Sequence, residues 1–181
     1  MLKRIAAILL VVLSLTLQVN VAPAAASSLR SYVDSIDGYR FGYPNGWVPV
    51  KVSKGPDVVF RDLIETSENV SVVISEVGKG KTLEDIGTPT DVGQKLVKFV
   101  FAPPESNRQA ELVAVGTREN DAKTYYYLEY TVKLPTQERH NLSSVAISRG
   151  KLFTLNISTT EERWSKVEGM FRDVVNSFSV Y

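Results

Sequence analysis

The sequence predicts an α+β fold in which an antiparallel β-sheet is sandwiched between helix layers. Short segments rich in β-branched and aromatic residues alternate with turn residues along most of the chain. Two capped segments with helical spacing interrupt them, one near the middle of the chain and one near its end, as expected for an α+β sandwich. No internal repeat is visible, so we expect a single domain over residues 37–181.

The first 26 residues have the pattern of a cleaved export signal. Lys3 and Arg4 precede an apolar run from Ile5 to Leu17, and small residues follow it. This run of roughly 13 residues is shorter than the about 20 that a membrane-spanning helix needs. We expect cleavage after Ala26, although Ala24 fits almost as well, and a mature protein that works outside the cytoplasm.

The chain contains no cysteine. It therefore lacks both disulfides and the site for the cysteine-linked lipid that holds many exported bacterial proteins to a membrane, so we expect no lipid anchor. Loss of residues 1–26 removes two of the 21 basic side chains and leaves 19 against 20 acidic ones. A net charge near minus one argues against nucleic acid or an anionic membrane surface as the partner.

Residues 27–36 are polar and show no strand pattern, so we predict a flexible, unpaired lead-in to the domain. The turn sequences Glu119–Ala122 and Arg149–Gly150 each join two consecutive strands, which must therefore run antiparallel. Alternation or β-branched content predicts seven strands, at Tyr39–Tyr43, Val58–Phe60, Asn69–Ser75, Glu111–Arg118, Thr124–Lys133, Leu142–Ser148 and Leu152–Ser158.

Capping sequences mark the two helices. Thr88 and Asp91 flank a proline and supply the hydroxyl and carboxylate of a capping box, and the helix should end before Pro103. A second box, Thr159 with Glu162, predicts a C-terminal helix with one apolar side against the sheet. That side consists of Trp164, Val167, Phe171, Val174, Val175 and Phe178.

Three consecutive tyrosines raise the question of a binding platform. Strand alternation assigns Tyr126 and Leu128 to one face, and Tyr125, Tyr127 and Glu129 to the other. Both faces carry large side chains, which favours a central strand covered by helices over an exposed aromatic surface.

Few residues of the chain could support catalysis. Nucleophilic catalysis normally uses cysteine, or serine with histidine, and the chain has no cysteine, one histidine and no Gly-x-Ser-x-Gly or phosphate-binding glycine loop. We predict that the protein is not an enzyme and has no catalytic residue. A hydrolase built on carboxylates stays open, because the meeting of two carboxylates in space cannot be read from spacing.

One pair of residues suggests a metal. Glu138 and His140 lie two positions apart in or beside a strand, so their side chains share a face and can supply two ligands to a divalent ion such as calcium, manganese or zinc. Two ligands do not complete a site, and an exposed histidine beside a strand is the alternative interpretation.

Several blocks of residues occur in an order shared with a known family. They are Asp37–Phe41, Tyr43–Trp47, Phe60–Asp62, Asn69–Ser75, Ile86–Pro89, Lys123–Tyr130, Gly150–Leu155, Arg163–Trp164 and Val175–Val180. In this order they resemble the PsbP family of photosystem II extrinsic proteins. The resemblance covers nearly all of the chain after the export signal.

The resemblance implies a PsbP/Mog1-like α-β-α sandwich, residence in the thylakoid lumen, and a non-enzymatic role on photosystem II with calcium or another divalent ion associated. The bacterial type of export signal is similar to that of the family's cyanobacterial branch. Phe101–Pro104 is similar to the corresponding connection of the plant PsbP-like proteins.

Two departures from the family bear on function. Cyanobacterial members commonly carry a lipid-bearing cysteine that is absent here, and the lead-in is shorter than the basic extension of the plant oxygen-evolving subunit. The resemblance therefore implies assembly or repair of photosystem II, with a structural subunit of the oxygen-evolving complex or a lumenal metal-delivery protein as alternatives. We expect the lead-in to contact photosystem II or its assembly intermediates through Ser27, Ser28, Leu29, Arg30 and Tyr32.

Overall fold

The computed structural model describes residues 29–181, so the predicted export signal, Ser27 and Ser28 lie outside the described part. The strands are β1 (Leu29–Asp34), β2 (Tyr39–Pro44), β3 (Trp47–Pro49), β4 (Val58–Asp62), β5 (Asn69–Glu76), β6 (Gln109–Asn120), β7 (Lys123–Lys133), β8 (Glu138–Ser148), β9 (Lys151–Thr160) and β10 (Ser179–Val180). The helices are α1 (Leu83–Ile86), α2 (Pro89–Leu96) and α3 (Glu161–Ser177), and a π-helical turn, Val97–Phe101, follows α2.

The strands form two sheets. One has seven strands in the order β3-β4-β5-β9-β8-β7-β6, and the other has three in the order β1-β2-β10. Every neighbouring pair is antiparallel. The predicted α+β class with antiparallel strands is confirmed.

Two tight hairpins set the register of the large sheet. Asp121 and Ala122 connect β6 to β7 with φ angles of 50° and 58°, and Arg149 and Gly150 connect β8 to β9 with 52° and 76°. Two consecutive residues at positive φ make the turn whose twist matches that of paired strands. Both predicted hairpins are confirmed.

The start of α2 is as predicted. The Thr88 hydroxyl accepts a hydrogen bond from the Asp91 amide, and the Asp91 carboxylate accepts one from the Thr88 amide. Hydrogen bonds from the Thr88 side chain and backbone lower the pKa of Asp91. The π-helical turn ends at Phe101, which confirms that helical structure stops before Pro103.

The predicted capping box of the C-terminal helix is wrong. The cap of α3 is Thr160, and its side chain makes no capping hydrogen bond. Thr159 belongs to β9, and its hydroxyl donates to the buried carboxylate of Glu68 at 3.1 Å. Glu161 and Glu162 still occupy the first turn, where negative charge favours the helix.

The seven-stranded sheet is covered on both faces. On one face, α3 packs against β8, β9 and also β2, and the small sheet closes the same core. This larger core contains Tyr39, Phe41, Phe153, Phe171 and Phe178, each at most 2% exposed. On the other face, α1 and α2 cover a smaller core of Leu83, Val92, Tyr126, Leu128 and Val145.

The tyrosine strand is buried on both faces, as predicted. Tyr125 belongs to the larger core and Tyr126 to the smaller one, and both are at most 3% exposed. The strand is not central, however, because β7 lies second from the edge of the sheet.

The prediction of a flexible, unpaired lead-in is wrong for Leu29–Asp34. These six residues form β1 and pair along their full length with Tyr39–Pro44. The Tyr32 ring lies 5.4 Å from the rings of Phe41 and Phe60, so it extends the larger core. Pairing with β2 and the packing of the Tyr32 ring therefore make this segment a strand, although its own sequence shows no strand pattern.

We predict that Tyr32→Ala lowers the free energy of unfolding by about 2 kcal/mol, less than the 3–5 kcal/mol typical of a fully buried aromatic residue because Tyr32 is half-buried. The matched control is Val33→Ala, whose side chain is 56% exposed and should change stability by less than about 0.5 kcal/mol. Urea unfolding measures both. Equal effects of the two substitutions would mean that β1 is not packed on the domain.

Candidate functional site

His140, the single histidine, lies in β8 on the face of the sheet that α3 covers. Its side chain is buried, with the residue 4% exposed, so the alternative interpretation of an exposed histidine is wrong. Glu138 lies at the exposed first position of the same strand. The carboxylates bonded to His140 come from other elements.

Both imidazole nitrogens face carboxylates. Nδ1 lies 2.8 Å from Oε2 of Glu161, and Nε2 lies 3.0 Å from Oε1 of Glu129. The Trp164 indole stacks on the imidazole, with ring centres 3.8 Å apart and planes inclined by 8°. Glu161 and Trp164 are three residues apart at the start of α3, so they lie on one side of that helix.

This geometry indicates which protonation state of the His140 ring satisfies both hydrogen bonds. An ionised carboxylate only accepts hydrogen bonds, whereas a neutral imidazole has a single N–H. Two carboxylate acceptors therefore need the doubly protonated ring. A doubly protonated ring also stacks favourably on the face of Trp164.

A second layer of donors supports Glu129, which is only 8% exposed. Its Oε2 accepts hydrogen bonds from the Tyr127 hydroxyl at 3.0 Å and from Nη2 of Arg172 at 3.2 Å. Arg172 also forms an ion pair with Glu168 at 2.7 Å. Burial, and next the charge of Glu129, raise the pKa of Tyr127, so its phenol stays protonated and donates. We call Glu129, His140, Glu161, Trp164 and Arg172 the His140 cluster.

The cluster connects three elements and leaves no room for a substrate at the imidazole. Glu129 lies on β7, His140 on β8, and Glu161, Trp164 and Arg172 on α3. The imidazole has both nitrogens engaged and Trp164 stacked on it, so no ring atom is available to an incoming molecule. The arrangement can hold charge and fix α3 on the sheet, but it lacks access for acid–base chemistry.

A metal ion does not fit the His140 cluster as it stands. A histidine ligand must be neutral and present a free lone pair, whereas both nitrogens of His140 are bonded to carboxylates. Within residues 29–181, no hydrogen bond or ion pair joins Glu138 to His140. The Glu138 and His140 metal pair stays a prediction that would require Glu129 or Glu161 to move.

Three carboxylates meet at a second position. Oxygen atoms of Asp34, Asp37 and Asp57 lie within 4.8 Å of one another. Asp34 accepts two backbone N–H groups of the following turn, Asp37 is paired with Lys151 at 2.8 Å, and Asp57 accepts the Tyr39 hydroxyl. Calcium takes six to eight oxygen ligands, so three carboxylates that already have partners do not fit a tight calcium site.

The structure also places three of the predicted partner-binding residues. Leu29 and Tyr32 are half-buried in β1, whereas Arg30 is exposed, with its guanidinium 5.8 Å from the centre of the Tyr43 ring. Ser27 and Ser28 lie outside the described residues. Because β2 is the one strand that pairs with β1 in the described chain, β1 forms an edge of the small sheet.

Among residues 29–181, the helices are too short or too polar to cross a membrane.

Comparison with known proteins identifies relatives along most of the chain. Residues 27–180 match the PsbP family. CyanoP of Thermosynechococcus vestitus is 53% identical over 163 residues, which cover 87% of this chain and 89% of that protein. The chloroplastic PsbP-like protein 1 of Arabidopsis thaliana is 36% identical over 159 residues, covering 86% of this chain and 67% of that protein.

A solved structure shares the fold. The solution structure of CyanoP from Synechocystis sp. PCC 6803 superposes with a TM-score of 0.74 at 49% identity, and the match covers 88% of this chain and 96% of that one.

We predict that both ring nitrogens of His140 donate hydrogen bonds, Nδ1 to Glu161 and Nε2 to Glu129. Long-range ¹H–¹⁵N correlation spectra of the imidazole measure this directly. Glu161→Ala removes one acceptor, so the hydrogen bond from Nδ1 should be lost while the one from Nε2 to Glu129 is kept. Glu138→Ala is the matched control and should leave the spectrum unchanged. An unprotonated nitrogen in the unmodified protein would contradict the assignment.

Proposed function

The chain belongs to the PsbP family, and on that premise we propose that it is a non-enzymatic extrinsic protein of photosystem II on the lumenal side of the thylakoid membrane. The observation that carries the proposal is the family match over residues 27–180 together with the fold shared with CyanoP. The buried His140, with both nitrogens bonded and no cysteine in the chain, supports a role without catalysis.

Within that role we propose that the protein assists assembly or repair of photosystem II. If the export signal is cleaved after Ala26, two residues precede β1, and β1 itself is part of the folded domain. Leu29–Asp34 therefore do not form a free basic extension of the kind that would retain ions at the manganese cluster. A role in assembly needs no such extension.

The edge strand β1 is the docking surface we favour. An edge strand presents backbone N–H and C=O groups that an extended segment of a partner can pair with. On β1, Arg30 and Val33 are exposed, the latter at 56%, so their side chains can contact a partner without unfolding the domain.

Co-purification with tagged photosystem II assembly intermediates tests the function. We predict recovery of the protein with these intermediates, and roughly tenfold lower recovery for Arg30→Glu, which corresponds to a loss of about 1.4 kcal/mol. The matched control, Lys166→Glu, reverses an exposed charge on α3 and should bind normally. Urea unfolding verifies that both variants are folded.

This experiment distinguishes failure of the proposed function from failure of the proposed docking surface. Absence of the unmodified protein from every tagged intermediate would refute the proposed function. Normal recovery of Arg30→Glu would leave the function in place and move the docking surface elsewhere on the domain.

Weak association with a divalent ion is the second candidate function, and the proximity of Asp34, Asp37 and Asp57 favours it. We predict binding of calcium with a dissociation constant of roughly 10⁻⁴ to 10⁻³ M, as in weak extracellular sites, because each carboxylate would have to give up a present partner. Calorimetric titration with calcium, manganese and zinc measures this.

Asp57→Asn should reduce the calcium heat, whereas Glu138→Gln should not. Binding tighter than micromolar would contradict the weak site and favour a metal-delivery protein. If zinc or manganese binding is lost in His140→Ala, the predicted Glu138 and His140 pair is the site instead.

A further inference from the structure

A small cavity lies on the face of the large sheet opposite the His140 cluster. His140 and Asn141 are consecutive in β8, so their side chains point to opposite faces. The cavity measures about 180 Å³. Its lining residues are Phe101, Arg108, Val132, Leu134, Arg139 and Asn141.

The cavity contains two positive charges without a bonded counter-ion. Arg139 donates to the Ser158 hydroxyl at 2.7 and 2.9 Å and to the Ser67 carbonyl at 2.6 Å, and both are neutral acceptors. Among residues 29–181, no carboxylate lies within 4.0 Å of the charged nitrogens of Arg139 or Arg108.

The environment of Arg139 favours the binding of an anion. Its side chain is half-buried, and burial lowers its pKa, a change that the charge of Glu68 only partly opposes. Glu68 is itself bonded to Arg163 at 2.6 Å and to Thr159. Charges withdrawn from water are normally paired, so a guanidinium held only by neutral groups favours an added anion.

Besides the arginines and Asn141, the wall consists of three apolar side chains. Phe101 stacks on Tyr130, with ring centres 4.0 Å apart and planes inclined by 20°, which fixes the ring over β7. Val132 and Leu134 continue this wall along the end of β7 and the following turn. An inorganic anion would satisfy the arginines but leave the apolar wall without a contact.

We propose that this cavity binds a carboxylate carried on a short apolar chain, with Arg108 and Arg139 as the charged donors and the chain against Phe101 and Leu134. The cavity volume is about 180 Å³. That is smaller than the about 300 Å³ at which pockets for drug-sized ligands begin, so a nucleotide is too large. A small free acid fits, as does the C-terminal residue of a polypeptide.

Titration of the ¹⁵N-labelled protein with isocaproate tests the proposal. The acid should produce saturable shifts confined to the side-chain N–H signals of Arg108 and Arg139, the amide group of Asn141, and nearby backbone amides. Isocaproamide, which has the same shape without the charge, and sulfate, which has charge without an apolar chain, should produce much smaller shifts.

Arg108→Gln should weaken isocaproate binding by about tenfold or more, because it removes a charge-assisted hydrogen bond. Arg108 is exposed and makes no ion pair within residues 29–181, so this variant should fold normally. Arg40→Gln, an exposed arginine of β2, is the matched control and should bind as the unmodified protein does. Absent saturation, equal binding of isocaproamide or sulfate, or unchanged affinity in Arg108→Gln would each overturn the proposal.

Two peptides then identify the source of the carboxylate. A tetrapeptide that ends in leucine is compared with the same peptide amidated at its C-terminus. Binding of the free peptide about tenfold tighter than isocaproate, with loss on amidation, supports a polypeptide terminus as the ligand. Binding of isocaproate without binding of either peptide supports a free short-chain acid.

Discussion

The packing of α3 across the large sheet is the interaction on which the rest of the domain depends. Phe171 and Val174 on its inner side, and Phe178 directly after its end, are fully buried between the seven-stranded sheet and the small one. Burying side chains of this size stabilises a fold by about 1.5–3 kcal/mol each. Because β2 also packs on this helix, α3 holds the two sheets together.

The position of α3 also explains why charges are tolerated inside the domain. Three members of the His140 cluster, Glu161, Trp164 and Arg172, come from this helix. They contact Glu129 and His140, which lie on the adjacent strands β7 and β8. Burying the carboxylate of Glu129 alone would be costly, but Arg172, His140 and a tyrosine hydroxyl compensate for the loss of water. The cluster therefore connects α3 to β7 and β8 through polar contacts as well as through apolar packing.

Features that depend on neighbouring residues could be predicted from the sequence. Features that depend on residues far away along the chain could not. The Thr88 capping box and the two-residue hairpins depend on neighbouring residues, and the ordered family blocks extend along the whole domain. Thr159 was predicted to cap α3, yet its hydroxyl bonds Glu68, which lies far away in the sequence. The partners of His140 depend on the register of β7 with β8 and on where α3 begins. Likewise, β1 is ordered by pairing with β2 and by the Tyr32 ring, neither of which appears in its own pattern.

The small sheet joins the two ends of the described chain. β2 pairs on one side with β1 and on the other with β10, so Tyr39 lies opposite both Asp34 and Val180. Contacts between such distant residues form slowly, because closing the long loop between them costs conformational entropy. β2 therefore gains its second neighbouring strand only after Ser179–Val180 have folded against it, so the small sheet is completed by the C-terminal end of the described chain. Loss of the last few residues would therefore first destabilise β1 and β2, which lie at the other end of the described chain.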